Sequence, residues 1–500
     1  MSNSRGLIRS MLVIGSAQAA SIVISILRIK VLAILLGPAG IGLLSIYNSL
    51  KDTVSQGAGL GMASSSIREI AGARGEERTL SRVRQVLFVA HLMLGLMSLV
   101  IVWLLRNQIS QWLFGDTSHA LEVGLVGIAI LLTLLSSAQT ALLQGLRRIN
   151  DLSRVTILGA LAGTTAGLGA VWLLGEAGLI WFLLIQPLAA VLVALHFTRL
   201  LPRPAVTRLT LREMWWVFRP MTSLGAAFMF AQLATTATLL LVRGRISQEL
   251  GIEAAGYFAA AWGIAMTYVG FMLGAMGADY FPRLTEIIKD RAAAVRLMND
   301  QAQLALAIGG PIMLLLIGLG PWVISILYSS AFGEAVTILQ WQTLGNIIRL
   351  GSWPLGFAIV ALANGKTFVV QSFIWNGVFL ALVWPMLPLF GILATGPAFV
   401  IASFIHFAFV LVVVRHIVGF RWERLSLIML GLHTVLGVAL LGLALTAPPL
   451  FAALAAPVLS LTTGLFGLRV VLMKIGPEGH LAARLYGFFA NIRWPIRSTS

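Results

Sequence analysis

The sequence predicts an all-α polytopic membrane protein with about 14 transmembrane helices. They would form two parallel six-helix repeats and a C-terminal helix pair. Three observations carry this reading. First, 58% of the 500 residues are hydrophobic, 11% are charged and the mean hydropathy is +0.93. Soluble domains are about one quarter charged and just under half apolar, so an ordinary globular protein and a disordered one are both excluded. Second, apolar runs long enough to cross a hydrocarbon core of ~30 Å recur along the whole chain. Third, the second half of the sequence echoes the first.

The runs cover roughly 10–35, 42–65, 85–105, 120–145, 155–174, 179–198, 219–242, 255–278, 303–327, 335–361, 367–390, 392–414, 426–446 and 450–473. The first opens after Arg9. Small residues (Ala17, Ala19, Ala20) follow a short apolar stretch, yet the apolar pattern continues to Leu36. An uncleaved membrane helix is therefore expected, not a signal peptide. Gly57-x-Gly59-x-Gly61 falls at the end of the second run. No strand precedes it and no βαβ unit surrounds it, so it reads as a site of close helix packing and not as a dinucleotide motif. Pro187, Pro311, Pro321, Pro354, Pro385, Pro388 and Pro397 fall inside later runs and predict bends. The connections are short, and none could hold a separate soluble domain. In the tail, Leu481, Leu485, Tyr486, Phe488, Phe489 and Ile492 accompany Arg484 and Arg493. That pattern suits either an interfacial helix on anionic lipid or a frayed terminus.

Lys and Arg number 35 against 18 acids, a net charge of +17. In a soluble protein this would suggest nucleic acid. Here it follows the positive-inside bias. With the N-terminus inside, about 27 cations fall in inner segments and about three (Arg106, Arg243, Arg245) in outer loops. Both termini are thus expected in the cytoplasm, and no nucleic-acid partner is implied. The absence of Cys removes disulfides, thiolate nucleophiles and thiolate metal ligands. There is no HExxH and no His cluster, and the longest outer loop, near 106–119, offers only Asp116. No catalytic residue, metal site or enzyme activity is expected.

The internal echo is specific in order and spacing. LGPAGIGL (36–43) parallels LGIEAAGY (250–257), with Gly37 matching Gly251 and Gly42 matching Gly256. Upstream, Arg28-x-Lys30 matches Arg243-x-Arg245. Downstream, Arg68 before Glu69-Ile70 is echoed by Arg283 before Glu286-Ile287, and Leu143-Gln144-Gly145 by Ala363-Asn364-Gly365. Six spans per repeat is an even number, so both repeats begin inside and run parallel, with a site between them near the midplane. The division expected is 1–205 for the first lobe, 206–424 for the second, 425–475 for an extra helix pair and 476–500 for a cytoplasmic tail.

Function is expected where charge sits in hydrocarbon, because intramembrane charge is costly and usually faces a cavity. Five cations fall inside runs: Arg28, Lys30, Lys51, Arg349 and Arg469; the one deep acid is Asp52. Lys51 and Arg349 lie near mid-span. Arg28 and Lys30 lie in an outer third, where they either snorkel to headgroups or face the cavity. Arg469 reads as a snorkelling anchor. Neighbours on a helix do not face each other, so Asp52 is expected to pair with Arg28 or Lys30 and not with Lys51; it and His406 are the titratable coupling candidates. The excess of positive charge suits an anionic ligand such as pyrophosphate. Asn48, Gln56, Gln139, Gln232, Gln342 and Asn346 add uncharged hydrogen-bonding groups for a sugar, or interhelical glue. A cation exporter would present buried carboxylates, and this chain offers one.

LRIKVLAILLGPAGIGLLSIYNSL (27–50), GAGLGMASSSIREIAGAR, LLQGLRRINDLSRV, GYFAAAW, YFPRLTEI and ALANGK together resemble the polysaccharide-flippase (Wzx-type) branch of the multidrug/oligosaccharidyl-lipid/polysaccharide exporter superfamily, over about residues 8–415. The resemblance implies a V-shaped bundle of two lobes, no cofactor, and alternating access of an undecaprenyl-pyrophosphate-linked O-antigen or exopolysaccharide repeat unit. It implies membrane lipids and polysaccharide polymerase machinery as partners, and a place in the bacterial inner membrane. Arg28 matches the first-helix arginine of such proteins. The helices after 425 resemble the added pair of lipid II flippases, which makes lipid II the alternative substrate.

Overall fold

The computed structural model describes residues 2–201, 210–362, 365–475 and 480–491. The linker with Arg203 and Arg208, the Ala363-Asn364 pair of the internal echo, and residues 476–479 and 492–500 of the tail lie outside the described residues. Among the described residues every regular element is helical: α1 (Ser2–Ala58), α2 (Met62–Gly72), α3 (Glu77–Leu104), α4 (Arg106–Phe114), α5 (Ala120–Gly145), α6 (Ile149–Leu174), α7 (Gly178–Arg199), α8 (Leu211–Leu250), α9 (Ile252–Ala278), α10 (Tyr280–Ile287), α11 (Arg291–Leu327), α12 (Ala335–Ala361), α13 (Gly365–Phe390), α14 (Thr395–Val418), α15 (Arg424–Thr446), α16 (Pro449–Ile475) and α17 (His480–Asn491).

Ten apolar stretches among the described residues are long enough to cross a membrane. Three of them run 43, 51 and 54 residues. At 1.5 Å per residue each is about twice what one crossing needs. Each is broken by one glycine with positive φ: Gly37 (φ 61, ψ −164), Gly175 (φ 59, ψ −133) and Gly391 (φ 60). Positive φ with extended ψ is essentially open only to glycine. At the first break Pro38 follows, and its ring starts the next helix, having no N–H to leave unpaired. Gly251 (φ 88, ψ 168) makes the equivalent break between α8 and α9. The Gly37–Gly251 match of the sequence is thus a shared backbone conformation.

Two expectations are corrected here. Gly57-x-Gly59-x-Gly61 does not serve close helix packing. The chain leaves α1 at Ala58, Leu60 (φ 49) and Gly61 (φ 68) turn it, and a Cβ on Gly57 would meet only Leu233 at 3.7 Å. The seventh crossing does not end at 242. The helix α8 continues to Leu250 and so takes Arg243 and Arg245 out of a loop and into a helix. Hydrogen bonds described below tie the Nη1 end of Arg243 to α1, which helps the helix carry it. At its other end α8 opens with a capping box. The Thr210 hydroxyl accepts from Glu213 N, and Glu213 Oε2 accepts from the Thr210 N–H and hydroxyl. Those two bonds hold the Glu213 carboxyl below its ordinary pKa.

The chain divides into two compact units, 1–259 with 326–331 and 260–325 with 332–500. In the first, Met62, Ile70, Leu87, Leu142 and Leu143 form a core near the arginine-rich loops. Arg74 donates to the Gly145 carbonyl there, tying the α2–α3 corner to the α5–α6 corner. In the second unit, α11, α12, α14, α15 and α16 share one core, including Leu314, Ile347, Val410, Met429 and Ala456. Large apolar residues such as Trp172, Leu104 and Leu389 stay exposed, as a hydrocarbon solvent permits.

The last helix pair docks on α11 through small residues. A Cβ on Gly310 would lie 2.2 Å from His433, one on Gly318 2.5 Å from the Ala452 carbonyl, and one on Gly467 2.5 Å from the Ala307 carbonyl. A polar clasp sits beside them. Asn299 donates to the Arg421 carbonyl and accepts from Glu423 N and Ser426 Oγ. One helical turn on, Gln303 Nε2 donates to Glu423 Oε2 and Ser426 Oγ. These bonds fix where α15 begins, and backbone groups at that helix start find partners.

Candidate functional site: charged groups within the spans

In the first unit the charges sort into separate positions. Arg28 Nη1 donates to Gln186 Oε1 on α7 at 3.1 Å and lies 6.0 Å from the Phe182 ring. Lys30, two residues on and so on another face of the helix, donates to the Tyr328 carbonyl at 2.6 Å. Lys51 Nζ donates to Asn48 Oδ1 at 2.9 Å, one turn back, and lies 3.4 Å from Asp52 Oδ1. The expected pairing of Asp52 with Arg28 or Lys30 is therefore corrected. Both of those are taken by other partners, while flexible side chains let the adjacent Lys51 swing over. Asn48 serves to hold Lys51 and not as free lining.

A fourth cation belongs here. Arg243 on α8 donates to the Ser45 carbonyl at 3.0 Å and to Ser49 Oγ, both on α1, and Asp52 lies within its electrostatic reach. Its Nε is sealed from solvent and has no partner. The sequence placed Arg243 in an outer loop. The signal that could have found it was the repeat, since Arg243 is the echo of Arg28.

Close by, α1 and α9 meet through Gly42 and Gly256. A Cβ on Gly42 would fall 2.1 Å from the Ile252 carbonyl oxygen, and one on Gly256 2.0 Å from that of Pro38. No side chain fits at either position.

In the second unit Arg349 sits midway along α12. Its guanidinium carbon lies 5.5 Å from the Trp353 ring, 5.1 Å from Trp375 and 5.6 Å from Phe399, and Nη1 is 4.0 Å from the Met266 sulfur. Among the described residues no carboxylate forms an ion pair with it. An arginine at the bilayer centre costs about 2.5–3.5 kcal/mol. Each aromatic face returns about 0.5–2 kcal/mol, so three faces return about 1.5–6 kcal/mol, a sum comparable to that cost. The aromatic cage was not read from the sequence, although Trp353 stands one turn from Arg349 on the same helix face. Gln342 and Asn346 line up with Arg349 at helical spacing. Asn346 Nδ2 reaches the Ala265 carbonyl on α9 at 3.3 Å, whereas Asn346 Oδ1 and both polar atoms of Gln342 are buried without partners. Buried unpaired polar groups are costly to keep. His406 on α14 lies within electrostatic range of Arg349, and its Nδ1 has no partner.

The remaining polar candidates scatter. Gln56 is half-buried and Gln232 exposed. Gln139 lies with Arg84 and Arg199, apart from the Lys51 group. Arg469 lies in α16. Among the described residues no group of three or more His, Asp or Glu side chains gathers as a metal site would require. What the two units do share is an excess of half-buried positive charge over acid within the helices, which fits an anion better than a cation.

The chain's residues 31–337 match the sequence profile of a family described as polysaccharide biosynthesis protein. It is 24% identical over 348 residues to the lipid III flippase of Escherichia coli (strain K12), covering 68% of this chain and 82% of that one. The lipid III flippase of Shigella flexneri matches to the same extent. Among solved structures, the fold is similar to the lipid II flippase MurJ in its inward closed conformation, with a TM-score of 0.70 and 14% identity over 92% of this chain and 99% of that one. It is also similar to an inward-facing multidrug resistance MATE family transporter of the MOP superfamily, with a TM-score of 0.63 and 16% identity over 80% of this chain and 94% of that one.

Proposed function

The chain belongs to the polysaccharide biosynthesis protein family, and from that premise we propose that it is a flippase for a polyprenyl-pyrophosphate-linked oligosaccharide in the bacterial inner membrane. The substrate class proposed is an undecaprenyl-pyrophosphate-linked repeat unit of O-antigen or exopolysaccharide. The lobes are 1–205 and 206–424, followed by the pair 425–475 and the tail 476–500. The arginine-rich end and both termini face the cytoplasm, as the distribution of Lys and Arg supports.

The observation that carries this reading is Arg349. It is a cation held in the middle of a membrane helix by aromatic rings and a thioether, beside buried, unpaired amide groups. A planar guanidinium in an apolar surround is suited to a pyrophosphate, which it can grip with two parallel hydrogen bonds. Arg28, Lys30 and Lys51 are proposed as further contacts to the same headgroup at successive stages of passage. Asn346, Gln342, Gln56 and Gln232 would serve the glycan, and Asp52 with His406 any coupling to protons. The lobes would rock to carry the glycan across while the lipid tail stays in the bilayer, and polymerase machinery would take the product on the outer face.

The test is complementation of a strain lacking the gene. Arg28→Ala, Lys51→Ala and Arg349→Ala are each expected to abolish surface glycan while the protein still inserts at normal abundance by immunoblot. Normal glycan export in all three would remove the site assignment. The tightly docked pair α15–α16 supports a second reading, lipid II. Mass analysis of the lipid intermediate that accumulates in the deletion strain separates the two. A glycan without peptide supports the first reading, and a stem peptide on the sugar supports lipid II.

A further inference from the structure

We propose that a second anion site lies at the arginine-rich end of the first unit, where it holds the phosphate headgroup of an anionic phospholipid. A cavity of about 380 Å³ opens there between α3, α5 and α7. That is within the size range of small-molecule sites, roughly 300–1,000 Å³. Arg84 from α3 and Arg199 from the last turn of α7 stand at its polar side, and no carboxylate is among the lining residues. Arg84 Nη2 donates to the Thr198 carbonyl at 3.3 Å, which draws its guanidinium across towards α7. Gln139 from α5 lines the same space with only 8% of its surface exposed. Among the described residues no protein group engages its amide.

The rest of the lining is largely apolar and includes Leu142, with Phe88 one turn from Arg84 and Leu195 one turn from Arg199. Phe88 is 39% exposed, and Leu192, one turn from Leu195 on the same face of α7, is 58% exposed. Two guanidinium groups, each one helical turn from exposed or lining apolar residues, match an amphiphile with a phosphate head and acyl chains. Basic pockets between membrane helices on the cytoplasmic side recognise anionic lipid in this way. The site shares no cation with the Arg28, Lys30, Lys51 and Arg349 set, so lipid can occupy it while substrate moves. Placing it in the inner leaflet rests on the orientation proposed above; the binding itself does not.

The full chain, purified in detergent, would be titrated with phosphatidylglycerol, phosphatidylcholine and undecaprenyl phosphate, and bound lipid counted by native mass spectrometry. Retention of phosphatidylglycerol over phosphatidylcholine is expected. Each arginine near the surface adds about fivefold to anionic-lipid binding. The double variant Arg84→Gln with Arg199→Gln should therefore weaken retention roughly 30-fold. The control Arg78→Gln removes an exposed cation outside the cavity and should weaken retention clearly less than either cavity variant. Should the double variant elute as aggregate, Arg199→Gln alone is expected to lower retention about fivefold. Three results would each overturn the proposal: equal phosphatidylglycerol retention by the variants, equal retention of phosphatidylcholine by the parent, or arginine-dependent retention of undecaprenyl phosphate in preference to phosphatidylglycerol.

Discussion

Arg349 and Arg243 are both half-buried arginines, and they are held by different chemistry. Arg243 is fixed by oxygen acceptors, a carbonyl and a serine hydroxyl. Arg349 is fixed by ring faces and a thioether and keeps its hydrogen-bonding capacity in reserve. The first arrangement suits a structural tie, the second a group awaiting a ligand. Arg349→Lys tests this distinction. The substitution keeps the charge and loses the planar fork that stacks and grips bidentately. Transport in a vesicle assay is expected to fall at least tenfold while abundance is preserved. Transport at the parental level would mean that charge alone suffices. At this scale the sequence was a partial guide. Depth along an apolar run located Lys51 and Arg349, because charge stands out there. The same ruler misplaced Arg243, because it stops counting where apolar residues stop, whereas the helix continues by hydrogen-bonding its cation to a neighbour. The Lys51–Asp52 proximity was hidden for a related reason. The rule that adjacent helical residues diverge concerns Cβ directions, and a lysine stem is long enough to return.

Among the helices, the breaks were legible and the docking was not. Gly37-Pro38 announces its own interruption, since one residue alone tolerates the backbone and the next cannot continue the ladder. All three long apolar stretches are divided by such a glycine. The packing of α15 and α16 against α11 left no mark in hydropathy. It depends on Gly310, Gly318 and Gly467, which look like any other glycines in a chain with 50 of them, and on Asn299, which looks like an ordinary polar residue at a helix start. Asn299 is fully buried and meets four partners, two carbonyls, one backbone N–H and one hydroxyl. Asn299→Leu leaves those groups unpaired. It is expected to destabilise the protein by about 2–4 kcal/mol, seen as a clear drop in Tm in detergent. An unchanged Tm would show that α15 is held by its glycine contacts alone.

Across the whole molecule, the net charge of +17 divides into two populations with different work. Most of its cations lie outside the apolar runs of the sequence, where we propose that they set orientation and, between α3 and α7, hold lipid. A few lie inside the apolar runs, and these are the ones proposed to act on substrate. The proposed rocking of the lobes also makes a demand on the contact between α1 and α9. Gly42 meets the carbonyl of Ile252, and Gly256 meets the carbonyl of Pro38. Those residues are paired by the internal echo: Gly42 with Gly256, and Pro38 with Ile252. Either Gly→Ala change should force the helices apart and lower both stability and transport. The two changes together should cost less than the sum of the singles, because the first already opens the gap that the second needs. A double-mutant cycle on Tm measures this, and strict additivity would show that the two positions are independent.

That reciprocity is the signature of an isologous interface, in which residue i of one subunit touches j of the other while j touches i. Here both partners belong to one polypeptide. The glycines stand against a local pseudo-two-fold axis, so the chain carries within itself the contact rule of a symmetric dimer. Elsewhere the two halves differ: the echoed arginines Arg28 and Arg243 have different partners, Gln186 for one and Ser45 with Ser49 for the other. At this contact neither copy could drift alone, because bulk added on one side of the axis would be met by the backbone of the other.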